Sequence, residues 1–241
     1  LKLKKGFINH FEWAVRQLLI CSNGNLRITS LSEDGDIKLP KAFLSMLLKF
    51  GGDLSDRRLA SRLGYTQREF KKAVADHYLP EATMHSAISQ VSVLRTDWGP
   101  KRREVFVRVD GHDVFIQIRS CGTTLFEGNI ASSLWVDGSK MHPLGSWEEV
   151  CWQSDGDADY LELELGYVGG WKVQKHILLA KEDNLVLIGD VVLGQGERTR
   201  IAMKQEYLSG KDIRVYTAEE HNEGFIWSSN PMGLLLPLAL P

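Results

Sequence analysis

A histidine near the middle of the chain is the side chain best suited to acid–base chemistry, and an arginine before it supplies a permanent positive charge. His112 stands in the stretch "DGHD", where a free imidazole could act as a general base near neutral pH. Arg95, in "LRTDWG", could neutralise a substrate carboxylate. Since Asp-Gly favours a hairpin, the alternative interpretation of His112 is a surface turn residue. The sequence contains no HxH, HExxH, GxSxG, phosphate-loop or dinucleotide motif.

Tryptophans beside acidic and amide side chains indicate a second kind of chemistry, the stacking of aromatic rings on sugars. Trp147 and Trp152 lie in "SWEEVCWQSD", where their polar neighbours make them the best candidates for a glycan groove. Trp98 is a further candidate contact, three residues after Arg95. The alternative for each is a packed core residue, because tryptophan is common in the cores of β-sandwiches.

The stretch "DGDADYLE" carries three aspartates at alternate positions, a pattern that could hold a hard cation. It is not an EF-hand loop, because Tyr160 stands where that loop needs glycine and Gly166 where it needs an acid. A solvated turn before a strand explains the same pattern. We therefore predict no metal site, and no cofactor.

Composition limits the remaining classes of function. The 241 residues carry a formal net charge of −2, so no global charge favours nucleic acid or an anionic membrane as partner. Three cysteines are odd in number and widely spaced, which argues against a disulfide scaffold. No signal peptide or apolar run of membrane-spanning length is present, and the compartment is not indicated. The first residue is not Met and the last eleven are mostly apolar, so we expect a fragment of a longer protein.

The elements that position these residues change character near residue 91. Apolar residues at helical spacing predict helices over 7–20 and 41–50, and two short helices around Gly64 with Ser55 and Thr66 as N-caps. That last pair also has the outline of a helix-turn-helix, with Gln67 and Arg68 placed to read bases. A helical packing element is the favoured interpretation. From 91 onward the apolar residues alternate between short turns, which predicts an antiparallel β-sandwich.

The stretches "VSVLRTDWG", "VDGHDVFIQIRSCGTTLFEG" and "LELELGYVGGWKVQKHILLAKEDNLVLIGDVV" resemble the C-terminal half of heparinase II/III-like proteins. In that family a helical toroid leads through a "Y-x-V-x-R-x-x-W" strand into an antiparallel supersandwich. The resemblance implies that 1–90 is the tail of an α/α domain, that 91–241 begins the sandwich, truncated at its C-terminus, and that Arg95 and Trp98 mark the crossing between them. The family's H-x-H-x-D cluster is reduced here to His112 and Asp113.

We therefore expect a mainly β fold, an antiparallel sandwich or supersandwich preceded by a short helical segment. The leading functional hypothesis is a carbohydrate-associated portion of a heparinase II/III-like protein, non-catalytic as it stands, with an acidic polysaccharide as partner. The first alternative is an active uronate-polysaccharide lyase whose base lies in the missing toroid, with His112 and Arg95 contributing. The second is a structural or protein-interaction sandwich that binds no glycan, in which Trp147 and Trp152 are core residues.

Overall fold

The computed structural model describes residues 5–23, 27–28, 37–65, 78–130, 133–194, 199–217 and 223–236. The chain forms two compact units. The helical unit comprises residues 1–85 with 97–99, and the β unit comprises 86–96 with 100–241. The division into a helical segment over 1–90 and a sandwich over 91–241 stays a prediction.

The described residues of the helical unit form three helices and a two-stranded ribbon. The helices are α1 (Lys5–Ile20), α2 (Lys41–Gly51) and α3 (Leu54–Arg62), and the ribbon pairs β1 (Arg27–Ile28) with β2 (Ile37–Lys38). Their apolar faces pack together through Leu19, Leu48 and Leu59, none of which is exposed. None of the described helices combines the length and the hydropathy needed to cross a bilayer.

The beginning of α3 corrects one local expectation. Its N-cap is Asp53, not Ser55: the Asp53 carboxylate accepts a hydrogen bond from the Asp56 backbone N, and the Asp56 carboxylate accepts one from the Asp53 backbone N. Arg16 of α1 binds both carboxylates, with its Nε 2.9 Å from Asp56 Oδ1. Thr66 and the second helix of the helix-turn-helix outline lie outside the described residues.

Fifteen of the strands follow in chain order. They are β3 (Met84–Ser86), β4 (Val91–Arg95), β5 (Arg103–Asp110), β6 (Asp113–Ser120), β7 (Thr123–Asn129), β8 (Ser133–Val136), β9 (Ser139–Lys140), β10 (Pro143–Ser154), β11 (Ala158–Tyr167), β12 (Trp171–Ala180), β13 (Leu185–Leu193), β14 (Ile201–Lys204), β15 (Arg214–Thr217), β16 (Gly224–Trp227) and β17 (Pro231–Leu235).

These strands form four further sheets, and every pairing whose register is described is antiparallel. Their orders are β3-β4-β5-β6-β7, β10-β11-β12-β13, β14-β8-β9 and β15-β16-β17. Residues from the five-stranded and four-stranded sheets share one core, in which Val105 and Val107 meet Leu163 and Ile177. Two antiparallel sheets packed over a common apolar layer are a sandwich. The predicted mainly β sandwich preceded by helices is confirmed, whereas the supersandwich stays a prediction.

Candidate functional site

One face of the five-stranded sheet carries Arg95, a polar side chain that the sequence singled out. Successive residues of a strand point to opposite faces, so Val105 and Val107 enter the core while Glu104, Phe106 and Arg108 point the other way. The register places Arg95 of β4 opposite Glu104. We call this side, turned away from the sandwich core, the outer face of the five-stranded sheet.

Arg95 is buried in an ion cluster on this face. Its Nε lies 2.6 Å from Glu104 Oε2, and the guanidinium groups of Arg119 and Arg102 lie 3.8 and 4.0 Å from the same carboxylate. A buried charge is stable only when it is paired, so Glu104 and Arg95 depend on each other. The Arg95 guanidinium is therefore engaged within the chain. Its role toward a substrate carboxylate stays a prediction that this placement does not favour.

The backbone of Arg95 also reaches the second sheet. Its N donates to Asp159 Oδ2 at 3.2 Å, while Asp159 Oδ1 accepts from Ser154 Oγ at 2.6 Å and lies 2.8 Å from Lys181 Nζ. Asp159 is fully buried, and its donors come from both layers of the sandwich. This carboxylate is a structural link between the two sheets.

The aspartates before it cap a turn. Asp155 Oδ1 accepts from the backbone N of Asp157 and of Ala158, both at 2.9 Å, and these bonds hold the pKa of the Asp155 carboxyl below its ordinary value. Among the described residues, no group of three or more His, Cys, Asp or Glu side chains is placed to hold a metal ion.

His112 lies at the tip of the hairpin that joins β5 to β6. The two-residue loop is Gly111-His112, with Gly111 at φ 60°, the left-handed conformation that glycine adopts without strain. Trp147 holds this loop in place, because its Nε1 donates to the His112 carbonyl oxygen and its backbone N to that of Gly111, both at 3.0 Å. The His112 imidazole is exposed and makes no hydrogen bond to another described residue.

Arg108, four residues before His112 on the same hairpin, is a candidate that the sequence analysis missed. Its guanidinium carbon lies 5.9 Å from the ring centroid of Phe115, a cation–π distance. Its Nη1 lies 3.8 Å from Asp110 Oδ2, and its buried Nε has no hydrogen-bond partner among the described residues. The side chain is 20% exposed. Arg108 therefore keeps donors for an anion, because its one carboxylate contact within the described part of the chain is long.

The predicted aromatic contacts are packed inside the protein. Trp147 is 1% exposed and lies in the sandwich core, against which Trp152 is half-buried. Trp98 is buried in the core of the helical unit, where its Nε1 donates to the Pro80 carbonyl oxygen at 2.7 Å. Sugar stacking needs an open ring face, which Trp147 and Trp98 do not offer. Their substrate-binding roles stay predictions, and their burial favours the alternative of core residues.

A second polar group lies on the side of the four-stranded sheet turned away from the core. Tyr160 Oη lies 2.6 Å from His176 Nδ1 and donates to Glu162 Oε2 at 3.0 Å. Burial, and then the bond to Glu162, raise the pKa of Tyr160 to about 12. The raised pKa extends to higher pH the range over which the phenol keeps its proton. The alternation of Glu162 with leucines indicates only an exposed strand face, so the sequence does not reveal this group.

Comparison with known proteins gives one relevant finding. No family model and no curated protein matches the sequence. A solved structure, the "Heparinase III-BT4657 gene product", superposes with a TM-score of 0.62 over 92% of this chain, at 15% identity. The chain has a heparinase-like fold. It spans 38% of the length of that heparinase III chain.

At this low identity the similarity concerns the fold, and it supports the resemblance inferred from the sequence. On the β5–β6 hairpin, His112 is exposed and the Arg108 side chain is 20% exposed with one long carboxylate contact among the described residues. We take this hairpin as the candidate site.

Proposed function

We propose that this chain is the carbohydrate-associated β-sandwich portion of a heparinase II/III-like protein, and that it is non-catalytic on its own. The observation that carries the proposal is Arg108, whose guanidinium has no close carboxylate among the described residues and lies on a hairpin of a heparinase-like fold. Charge-assisted hydrogen bonds from arginine to carboxylate or sulfate are strong and directional. An acidic polysaccharide is therefore the partner that the hairpin suits.

The same hairpin lacks a complete set of groups for β-elimination. Cleavage of a uronate polymer requires a base for the C5 proton, an acid for the leaving oxygen and a group that neutralises the carboxylate. Around its turn, from Arg108 to Asp113, the hairpin supplies one titratable base, His112, and one cation, Arg108. The other ionisable side chains of that segment, Asp110 and Asp113, are exposed acids of the wrong charge to neutralise a carboxylate. Binding without turnover is the function this arrangement supports best.

Binding is tested by calorimetric titration of the chain with acidic polysaccharides, with neutral dextran as the reference polymer. Arg108→Gln removes the charge but keeps an amide donor, and we expect it to weaken binding about tenfold or more, because hydrogen bonds to charged groups contribute roughly 1.5–3 kcal/mol. Arg214→Gln is the matched control, since Arg214 is an exposed arginine on β15. Equal binding of dextran, or an unchanged affinity of the Arg108→Gln variant, would refute the proposal.

An active lyase is the second candidate, and the exposed, unengaged imidazole of His112 favours it. In this case the base and acid come from both His112 and residues outside this chain. The test is incubation of the intact parent protein with uronic-acid polysaccharides while the ultraviolet absorbance of the unsaturated product is followed. A rise that His112→Ala abolishes establishes the lyase. No rise, with binding retained, leaves the non-catalytic proposal in place.

A further inference from the structure

Strand β13 is an edge strand with an apolar side turned away from the core. It ends the four-stranded sheet, and no other described strand pairs with its free side. The side chains that point outward are all apolar, and they are 37% to 50% exposed: Leu185, Leu187, Val191 and Leu193, with Gly189 between them. The one charge on the strand, Asp190, points inward and lies 2.7 Å from Lys175 Nζ. An exposed apolar edge of this length is a template for pairing with another strand.

The opposite edge of the same sheet differs. Strand β10 contains two register shifts, between Leu144 and Glu148 and between Glu149 and Cys151. Both glutamates are exposed. Bulges and charges are the devices by which natural sheets prevent edge-to-edge pairing. Among the described strands of this sheet, β10 is therefore protected against edge-to-edge pairing, whereas β13 is not.

The sequence of β13, "LVLIGDVVL", is nearly symmetric about Gly189. An antiparallel pair of β13 strands with its two-fold axis at Gly189 places Leu185 opposite Leu193, and Leu187 opposite Val191. On the inward side the same register places Val186 opposite Val192. Apolar and β-branched pairs directly opposite each other stabilise antiparallel sheets. The strand therefore complements a second copy of itself.

We propose that two copies of this chain associate through β13, so that their four-stranded sheets join into one continuous sheet across a two-fold axis. Such an interface uses the same patch on both copies, as a closed dimer requires. The backbone hydrogen bonds along nine residues supply affinity, and the outward leucines and valine bury apolar surface. Gly189 leaves room where the two strands lie closest to the axis.

The first test is the oligomeric state of the purified chain, measured by sedimentation velocity over a range of concentrations. We expect a dimer, and we expect Val191→Lys to raise its dissociation constant at least tenfold, because a charge on an edge strand opposes pairing. Val150→Lys is the matched control. Val150 is 52% exposed on the other edge strand, β10, whose bulges and charges already oppose pairing, so the same substitution there leaves association unchanged. A monomer at every concentration, or equal association of both variants, overturns the proposal.

The second test fixes the register. Gly189→Cys, in a background where the three native cysteines are replaced by serine, brings two thiols opposite each other at the axis. The added Cβ meets only Leu187 at 3.8 Å, an ordinary contact, so the strand tolerates the change. We expect rapid disulfide-linked dimer formation under a mild oxidant, whereas Leu208→Cys, at an exposed position off the sheet, cross-links slowly. Equal rates for the two variants overturn the proposed pairing, whatever the state of glycan binding.

Discussion

The buried pair Lys175–Asp190 gives the sharpest prediction about stability. Lys175 of β12 points into the sandwich core, is fully buried, and places Nζ 2.7 Å from Asp190 Oδ1 and 6.0 Å from the Trp147 ring centroid. Burial lowers the pKa of Lys175, and Asp190 opposes this effect only in part. Removing the lysine leaves a carboxylate in the core without its cation.

Lys175→Met keeps an unbranched side chain that is one heavy atom shorter, but removes its charge. We expect it to lower the free energy of unfolding by about 3–5 kcal/mol, the usual cost of breaking a buried ion pair from one side. The double variant Lys175→Met/Asp190→Leu removes both charges. We expect it to recover most of this loss, because buried pairs replaced by apolar residues are often neutral or stabilising.

The assay is urea unfolding followed by the circular dichroism of the strands, which reports on the β unit. Lys172→Met is the control, since Lys172 lies on the same strand but is half-exposed and pairs with Glu164 at the surface. It should cost no more than about 1 kcal/mol, as surface pairs do. A loss below about 1 kcal/mol for Lys175→Met would refute the argument, as would a double variant no more stable than the single one.

The pH dependence of stability has a definite sign for the same pair. When the pKa of a lysine is lower in the folded state than in the unfolded state, the folded state binds fewer protons at every pH between these two pKa values. Stability from this group therefore rises as the pH rises through that range. The double variant should lose this rise, which unfolding at several alkaline pH values measures.

Three further predictions concern single side chains. The pKa of Tyr160 is raised to about 12, so between about pH 10 and 12 the folded state keeps the phenol proton whereas the unfolded state loses it. The free energy of unfolding should therefore fall as the pH rises through this range. Tyr160→Phe should reduce this fall in alkaline unfolding curves. Asp110→Asn removes the acid nearest Arg108 and should tighten acidic-polysaccharide binding up to about fivefold by calorimetry; weaker binding would contradict it. Trp147→Phe removes the hydrogen bond from the indole to the His112 carbonyl oxygen and reduces the volume of the core. Amide hydrogen exchange in the β5–β6 turn should accelerate, and the free energy of unfolding measured in urea should fall by about 2 kcal/mol.

The hairpins show how far the sequence determines local structure. The Asp-Gly pair at 137–138 predicts a two-residue turn, and both residues have positive φ, 50° and 81°, as a type I′ turn requires. At "DGHD" the hairpin is also found, but the loop is Gly111-His112, one residue later than the Asp-Gly pair. Only Gly111 has positive φ there, the pattern of a type II′ turn with glycine first. The sequence predicts the hairpin, and the pairing of Asp110 with Asp113 sets the turn.

The sequence predicts the partners of charged side chains, Arg108 of the candidate site included, less well than it predicts the hairpins, for a physical reason. Alternation assigns charged residues to the exposed face of a strand, yet Lys175 and Glu104 are buried with partners from neighbouring strands. Such partners become visible only when the register is known. For Lys175 the alternation in "WKVQKHILLA" indicates burial, because the lysine occupies the same alternate positions as Trp171, Val173 and Ile177, which point inward. For Arg108 no signal exists, since its lack of a close partner depends on three-dimensional distances.

The most direct test of the central claim is a nuclear magnetic resonance titration of the chain with an acidic oligosaccharide, following the Nε–Hε signals of the arginines and the imidazole signals of the histidines. The account predicts that the signals of the Arg108 guanidinium, whose side chain is 20% exposed, shift first and saturate together with the ring signals of His112, while those of Arg95, which is 1% exposed, move little. Shifts that are confined to other parts of the chain, or no saturable shift at Arg108, would contradict the claim that this hairpin binds carbohydrate.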